Sequence, residues 1–145
     1  MGQKKPRDLV DYARWISGGL CLAAGIAKAF PQVEDVAATL ELMAAANAAN
    51  LLGPLSAFLV AHVALVTTLV GLALGLTGLA FLTNRYLVVA CLIQLVLFSC
   101  FVTFLFSAIP AILLVDAPFF AVTLLVLWRA LAPPRAHSHP SLIKE

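Results

Sequence analysis

Residues 55–83 have the sequence LSAFLVAHVALVTTLVGLALGLTGLAFLT, which contains no Asp, Glu, Lys or Arg. A transmembrane helix needs about 20 mainly apolar residues to cross a hydrocarbon core about 30 Å thick, so this stretch can cross as one long, tilted helix. The whole 145-residue chain has the same character, because 63% of its residues are hydrophobic, 11% are charged and its mean hydropathy is +1.04. Soluble domains carry about 25% charged residues. The composition therefore predicts an integral membrane protein in contact with the lipid bilayer and excludes a large soluble catalytic domain.

Three other apolar stretches predict further membrane-spanning helices. Pro31 and Pro110 close two of the stretches, because proline cannot continue a helical hydrogen-bond ladder. The last span is the least regular, since Asp116 and Pro118 fall in its first part. The four predicted spans are residues 13–30, 55–83, 86–109 and 111–131. Together they predict an all-α fold, an integral membrane four-helix bundle.

Polar segments flank and interrupt this bundle. The bundle occupies residues 13–132, after a polar leader at residues 1–12 and before a polar tail at residues 133–145, which we expect to be flexible. Between the first two spans, residues 32–53 place apolar side chains at helical spacing and most acidic side chains elsewhere. This pattern predicts an amphipathic connector helix that lies at the membrane surface.

The distribution of basic residues predicts the orientation in the membrane. Four spans would place both termini on one side, and of the nine basic residues only Lys28 falls toward the other side. The eight on the shared side are Lys4, Lys5, Arg7, Arg14, Arg85, Arg129, Arg135 and Lys144. By the positive-inside rule, both termini are cytoplasmic. The net charge of +2 is too small to indicate nucleic acid as a partner.

Small residues predict where helices approach one another closely. Lipid supplies no hydrophobic drive for helix association, so close packing of small residues must supply it. Ser17, Cys21 and Gly25 form a row at i,i+4 spacing in the first span, and Gly71 and Gly75 form a GxxxG in the second. The row can serve self-association between two chains or contact between two helices of one chain, and we favour the second interpretation.

Four polar side chains within the predicted spans are candidates for a ligand site: Lys28, His62, Gln94 and Asp116. An ionisable group in the membrane is costly, so each needs a partner or a function. Lys28 can extend to the headgroups or turn inward to pair with Asp116 or Glu41. His62 and Gln94 are expected to hydrogen-bond to neighbouring helices, and no second ligand stands near His62, so no metal site is predicted.

The three cysteines predict no redox chemistry of their own. Cys21, Cys91 and Cys100 lie in apolar stretches without a CxxC pair, so we interpret them as buried small side chains. A disulfide from Cys21 to either of the others stays open. The chain also lacks a nucleophile with a base and a phosphate-binding loop, and we do not expect an autonomous enzyme.

The order of the motifs resembles that of the DoxX-like family of four-helix membrane proteins, over about residues 14–131. The glycine-rich first span, with GG at 18–19 and AGIAKAF at 24–30, is similar to the family's first helix, which ends in Gly-x-x-Lys. The TNR turn at 83–85 is similar to the short turn after its second helix. The chain departs from the family by lacking an acidic residue early in the second span, which indicates a divergent member.

The resemblance implies a place in the bacterial inner membrane and a link to redox complexes. DoxX-like proteins are associated with thiosulfate:quinone oxidoreductase subunits, and the related methylamine-utilisation E proteins with disulfide maturation. We therefore expect a non-catalytic or accessory subunit of a redox-linked membrane complex, with membrane-protein partners and a quinone or lipid as bound molecule. The alternatives are a quinone-dependent oxidoreductase component or small-molecule carrier that uses its own polar cluster, and a self-associating structural protein.

Overall fold

The computed structural model describes residues 9–30 and 32–132, and within them all regular structure is helical. The predicted all-α class is confirmed for this part of the chain. The helices are α1 (Leu9–Ala27), α2 (Val36–Asn47), α3 (Gly53–Ala61), α4 (Val63–Thr83), α5 (Leu87–Leu105) and α6 (Ile112–Leu131). The predictions for Pro31, for most of the leader and for the tail at residues 133–145 lie outside the described residues.

Three helices of the described chain are long and apolar enough to cross a membrane: α4, α5 and α6, of 21, 19 and 20 residues. At about 1.5 Å per residue they are about 28 to 32 Å long, which matches the hydrocarbon thickness of a bilayer. Many of their large apolar side chains face outward, such as Leu76 at 64% and Leu114 at 80% exposed. These features are those of a membrane protein. Helix α1 has 19 residues but carries Asp11 and Arg14 in its first half.

The chain breaks at His62, inside the stretch predicted to form one long second span. Here α3 ends and α4 begins, and His62 has backbone angles φ −121° and ψ 36°, which are not helical. Its backbone N–H donates to the carbonyl of Leu59 at 3.2 Å. The single helix predicted for residues 55–83 is therefore wrong, because uniform apolar composition does not reveal a local change of backbone direction.

The four longest helices contact one another in a closed order. Helix α1 packs against α4 and α6, and α5 packs against the same two helices. A turn at Asn84, whose φ of 58° is left-handed, joins α4 to α5. The short helices α2 and α3 pack against each other, and both contact α4.

Glycines let α1 and α4 approach to backbone contact. A Cβ atom added to Gly25 would lie 2.7 Å from both the Gly71 carbonyl oxygen and the Gly75 nitrogen. A Cβ added to Gly78 would lie 2.6 Å from the Gly18 carbonyl oxygen. The row of small residues thus lies in a seam between two helices of one chain.

Aromatic side chains fill the space between α5 and α6. Phe98 contacts the rings of Phe101, Phe119 and Phe120, with centroid distances of 6.1, 5.4 and 5.9 Å. Cys21 from α1 packs against the same cluster. These side chains form an apolar cluster between α1, α5 and α6.

Candidate functional site

The polar side chains collect at two opposite ends of the helix assembly. We call the end where α1 begins and α6 ends the arginine end, after Arg14 and Arg129. We call the end where α1 finishes and α6 begins the lysine end, after Lys28. Most of the side chains predicted for the site lie at or toward the lysine end.

Lys28 forms an ion pair with Glu34. The chain turns immediately after α1, with backbone hydrogen bonds from Ala29 to Ile26 and from Val33 to Phe30, both at 2.9 Å. This turn brings Glu34 back over the end of α1. The Lys28 side chain is 12% exposed, so its charge is largely covered by protein. The partner is thus neither Asp116 nor Glu41.

A cavity of about 150 Å³, the lysine-end cavity, lies beside this ion pair. Its wall includes the polar residues Lys28, Glu34, Thr39 and Thr67. The remaining lining is apolar and comes from α2, α4, α5 and α6: Val36, Leu40, Val66, Val70, Phe101, Leu105 and Ile112. A dry cavity of about 150 Å³ holds a single benzene molecule, whereas pockets for larger ligands measure about 300 to 1,000 Å³. A cavity of this size has room for about one six-membered ring.

Asp116 lies one helical turn beyond Ile112 on the same face of α6. It is 3% exposed, and its Oδ2 atom has no hydrogen-bond partner. No ion pair between Asp116 and Lys28 is found among the described residues. Burial of a carboxyl oxygen without a hydrogen-bond partner is costly, so Asp116 is a destabilising group at this end of the protein.

His62 stands apart from the other predicted residues. Its side chain is exposed, its Nδ1 lies 2.9 Å from the carbonyl oxygen of Phe58, and its ring lies 4.3 Å from the Phe58 ring. These contacts stabilise the end of α3. Within the described residues, no hydrogen bond or ion pair connects His62 to Lys28, Gln94 or Asp116.

Gln94 connects α5 to α1 in the middle of the core. It is fully buried, and its Nε2 donates to Cys21 Sγ at 3.2 Å. Gln94 Oε1 and Ser17 Oγ are both buried without a hydrogen-bond partner. Ser17, Cys21 and Gln94 thus form a small polar layer between the two ends.

The cysteines differ in their surroundings. Cys21, Cys91 and Cys100 are all free thiols, so no bridge from Cys21 is present. Cys21 and Cys91 are buried as expected, whereas Cys100 is exposed on the outer face of α5. The prediction that Cys100 is buried was wrong, because its side chain lies on an exposed part of α5.

A network at the arginine end was not anticipated. Arg14 donates from Nη1 to the carbonyl oxygen of Phe81 on α4. Asp11 lies 3.8 Å from Arg14 Nη2 and 3.5 Å from Arg129 Nη1 on α6. The network joins three helices. The i,i+3 spacing of Asp11 and Arg14 indicates an ion pair on one face of α1, but it does not reveal the contacts with α4 and α6.

A second network ties the α2–α3 segment to α5. Asn47, which is fully buried, donates from Nδ2 to the Phe104 carbonyl oxygen at 2.8 Å and lies 3.3 Å from Ser56 Oγ. Asn50 donates to Asn47 Oδ1 at 2.9 Å. Phe104 lies in the last turn of α5, where carbonyl groups lack helical partners, so Asn47 satisfies one of them. The amphipathic connector predicted for residues 32–53 includes Asn47 and Asn50, but helical spacing alone does not reveal this network.

The described residues contain no group of three His, Cys, Asp or Glu side chains that could hold a metal ion. The polar groups instead form hydrogen bonds, ion pairs and one small cavity. This arrangement can bind and orient a small molecule at the lysine end and can fix the helices at the arginine end.

The fold and its polar ends define an all-helical membrane protein with at least three candidate spans. The chain belongs to a family described as a family of unknown function (DUF6041), which matches residues 13–142. It is also 34% identical over 111 residues to "Oxidoreductase PigB" of Serratia sp. (strain ATCC 39006). That similarity covers 76% of this chain and 17% of the relative. No solved structure matches the chain.

Proposed function

We propose that this protein is a divergent DoxX-like, four-span protein of the bacterial inner membrane that acts as a non-catalytic subunit beside a separate catalytic chain in a redox-linked complex. The observation that carries the proposal is the similarity to an oxidoreductase of which the matched region makes up only 17%. In that relative, a segment similar to this chain accompanies a much larger remainder. We infer the same association here, formed between separate chains.

The packing of α1 supports a fourth span. Helix α1 runs along α4 and α6, both long enough to cross a bilayer, and its charged groups lie near its first turns. Those charges are paired with Arg129 and with the Phe81 carbonyl, which lowers the cost of placing them near the membrane. The basic arginine end is then cytoplasmic and the lysine end periplasmic.

Co-purification tests the proposed association. The tagged full chain, expressed at its natural level in its own host, is extracted in an uncharged maltoside detergent and its partners are identified by mass spectrometry. We expect a stoichiometric second chain with oxidoreductase activity, and we expect that activity to stay with the second chain after the two are separated. Activity that remains with the separated small chain would contradict the proposal.

A second candidate function is a binding site for a quinone headgroup in the lysine-end cavity. The cavity accepts one six-membered ring, and Lys28 supplies a donor for a carbonyl oxygen at its wall. The apolar lining from α4 and α5 suits the body of such a ring.

Filling the cavity tests this candidate directly. Val70 lines the cavity, so Val70→Phe should abolish the rise in unfolding temperature that decylubiquinone gives the unchanged protein. Val96, which is 65% exposed on the outer face of α5, offers the matched control Val96→Phe. An equal rise in both variants and in the unchanged protein would exclude this cavity as the quinone site.

A further inference from the structure

A groove on the outer face of the helix assembly runs between α1 and α4. It measures about 470 Å³ and lies between residues 22–29 and residues 67–79, and we call it the α1–α4 groove. Apart from Lys28 and two threonines, the side chains of its wall are apolar. Because this face of the spans is in contact with lipid, the groove suits a hydrocarbon chain.

Glycines leave room within the groove. Gly25, Gly71 and Gly75 line it. A Cβ atom added to Gly75 would meet no atom within 4 Å, so open space adjoins this residue. Leu72 and Leu76, which also line the groove, are 57% and 64% exposed. A linear chain can therefore lie over the glycines beside the leucine side chains.

The α1–α4 groove adjoins the lysine-end cavity. Lys28 and Thr67 line both spaces. In contrast, the recesses beside Arg14, Arg85 and Cys100 share no wall residue with the cavity. A molecule that lies partly in the cavity and partly in the groove would pass between these spaces at Lys28 and Thr67.

Thr67 has a hydroxyl group available at this junction. A threonine in a helix can donate to the carbonyl group four residues before it, as Thr68 does to Ala64 at 2.8 Å. Within the described part of the chain, Thr67 makes no such hydrogen bond. Its hydroxyl group can therefore donate to a polar atom of a bound molecule at the mouth of the cavity.

The length of the groove suits a tail attached to a ring. Thr67 and Leu79 lie twelve positions apart on α4, which is about 18 Å at about 1.5 Å per residue. This length is more than half of a hydrocarbon core about 30 Å thick. The lysine-end cavity, of about 150 Å³, has room for a ring but not for a long chain as well.

We propose that the α1–α4 groove holds the hydrocarbon tail of a membrane quinone whose ring lies in the lysine-end cavity. Lys28 and Thr67 then lie where the ring and the tail join. This inference rests on the second candidate function, because that function supplies the ring. It adds that the ligand is a long-chain quinone and that it enters sideways from the bilayer.

The unfolding temperature of the full chain in maltoside micelles, taken where half of the protein precipitates on heating, reports binding. The probes are decylubiquinone and its methyl analogue, in which a methyl group replaces the decyl chain on the same ring. Each is titrated separately, and the ratio of the two half-saturating concentrations measures the contribution of the tail. Partition of the tail into micelles is the same for every protein, so it cancels when variants are compared.

Two variants fill the groove, and each has a matched control. Gly75→Leu adds a side chain in the groove, whereas Gly19→Leu adds one outside it, at a glycine whose added Cβ also meets no atom within 4 Å. Leu72→Trp and Leu69→Trp enlarge side chains that are 57% and 58% exposed, and of these two only Leu72 lines the groove.

We expect Gly75→Leu and Leu72→Trp to lower the contribution of the tail about tenfold, because displaced methylene groups lose their contacts with the wall. Both controls should keep the ratio of the unchanged protein. The methyl analogue should protect all of these proteins equally, since the ring site is untouched.

The outcomes separate the groove from the ring site. If both quinones protect every protein with the same ratio, the groove holds ordinary lipid chains, and the proposal is wrong while the ring site stands. If neither quinone protects the unchanged protein, the second candidate function fails and the tail site fails with it. If Gly75→Leu also weakens binding of the methyl analogue, the substitution has disturbed the cavity, and the ratio in Leu72→Trp decides.

Discussion

The arginine end and the lysine end both bury a basic side chain, yet they hold it in different ways. At the arginine end, Arg14 is tied to the Phe81 carbonyl across 67 positions of sequence, and Asp11 reaches Arg129 on the last helix. At the lysine end, Lys28 is paired with Glu34, only six positions away. One ion network joins three helices, whereas the other closes a single turn.

The difference teaches which end can change shape. Opening the arginine end would break contacts among α1, α4 and α6 together, so that end acts as the fixed anchor of the helices. Opening the lysine end would break one local pair beside an existing cavity, at smaller cost. We therefore expect the lysine end to open more readily than the arginine end.

Removal of Arg14 should have the largest effect on stability. Arg14→Met leaves the Phe81 carbonyl without its donor, and we expect a loss of about 3 kcal/mol in the free energy of unfolding. This value is at the lower end of the range for breaking a buried ion pair, because the Asp11 carboxylate still forms its ion pair with Arg129 after the substitution. Unfolding in mixed micelles with increasing dodecyl sulfate measures this loss of stability, and Arg85→Met serves as the control. If Arg14→Met lost no more stability than Arg85→Met, the arginine end would not be an anchor of the helices.

Alanine substitutions in the glycine seam should cause the second largest loss of stability. The loss should be similar at both ends of the seam. Gly25→Ala and Gly78→Ala would each force Cβ against backbone at 2.7 and 2.6 Å, with an expected cost of about 2 kcal/mol. Gly75→Ala meets no atom within 4 Å and should be neutral or slightly stabilising. The same unfolding assay compares the three. A destabilising Gly75→Ala with a neutral Gly25→Ala would contradict the packing.

The Asn47 network also lies at the lysine end, so its contribution to stability tests whether this end is held less firmly than the arginine end. Asn47→Ala removes the donor to the Phe104 carbonyl and should cost about 1 to 2 kcal/mol. We expect faster cleavage by protease near α2 and α3, with α4 to α6 intact. Asn50→Ala, at the edge of the network, is the milder comparison. If Asn47→Ala destabilised the protein as much as Arg14→Met, the two ends would be equally fixed.

The smallest expected effect is the coupling at Lys28. A double-mutant cycle with Lys28→Met and Glu34→Gln should show a coupling of about 0.5 to 1 kcal/mol, since Glu34 is 40% exposed and screened by solvent. The cycle of Lys28→Met with Asp116→Asn should be additive to within about 0.5 kcal/mol. Thermal unfolding in detergent gives both values. The reverse ranking would place Asp116, and not Glu34, beside Lys28.

The class of fold followed from composition, whereas the partners of the polar residues did not. Apolar length alone predicts α4, α5 and α6, because lipid demands long uncharged helices. The spacing of small residues indicated the seam of Gly25 with Gly71, because backbone contact requires residues without side chains.

The features that the sequence did not predict depend on contacts between segments and on local backbone geometry. The partner of Lys28 depends on the turn after α1, and the partner of Arg14 is a backbone carbonyl of α4, which no residue type announces. The break at His62 lies in a uniformly apolar stretch and arises from local backbone geometry. Helical periodicity reports which face of a helix is apolar, but it carries no information about which helix covers that face.

Labelling of single cysteines in intact cells tests most directly that the two ends lie on opposite sides of a membrane crossed four times. In a variant without Cys21, Cys91 and Cys100, single cysteines replace the exposed residues Leu9, Val33 or Ala132. Leu9 and Ala132 lie at the arginine end and Val33 at the lysine end. We predict that a membrane-impermeant maleimide labels Val33→Cys from outside and labels Leu9→Cys and Ala132→Cys only after permeabilisation. Labelling of Leu9→Cys and Val33→Cys from the same side would show that α1 does not cross, and it would contradict the four-span account.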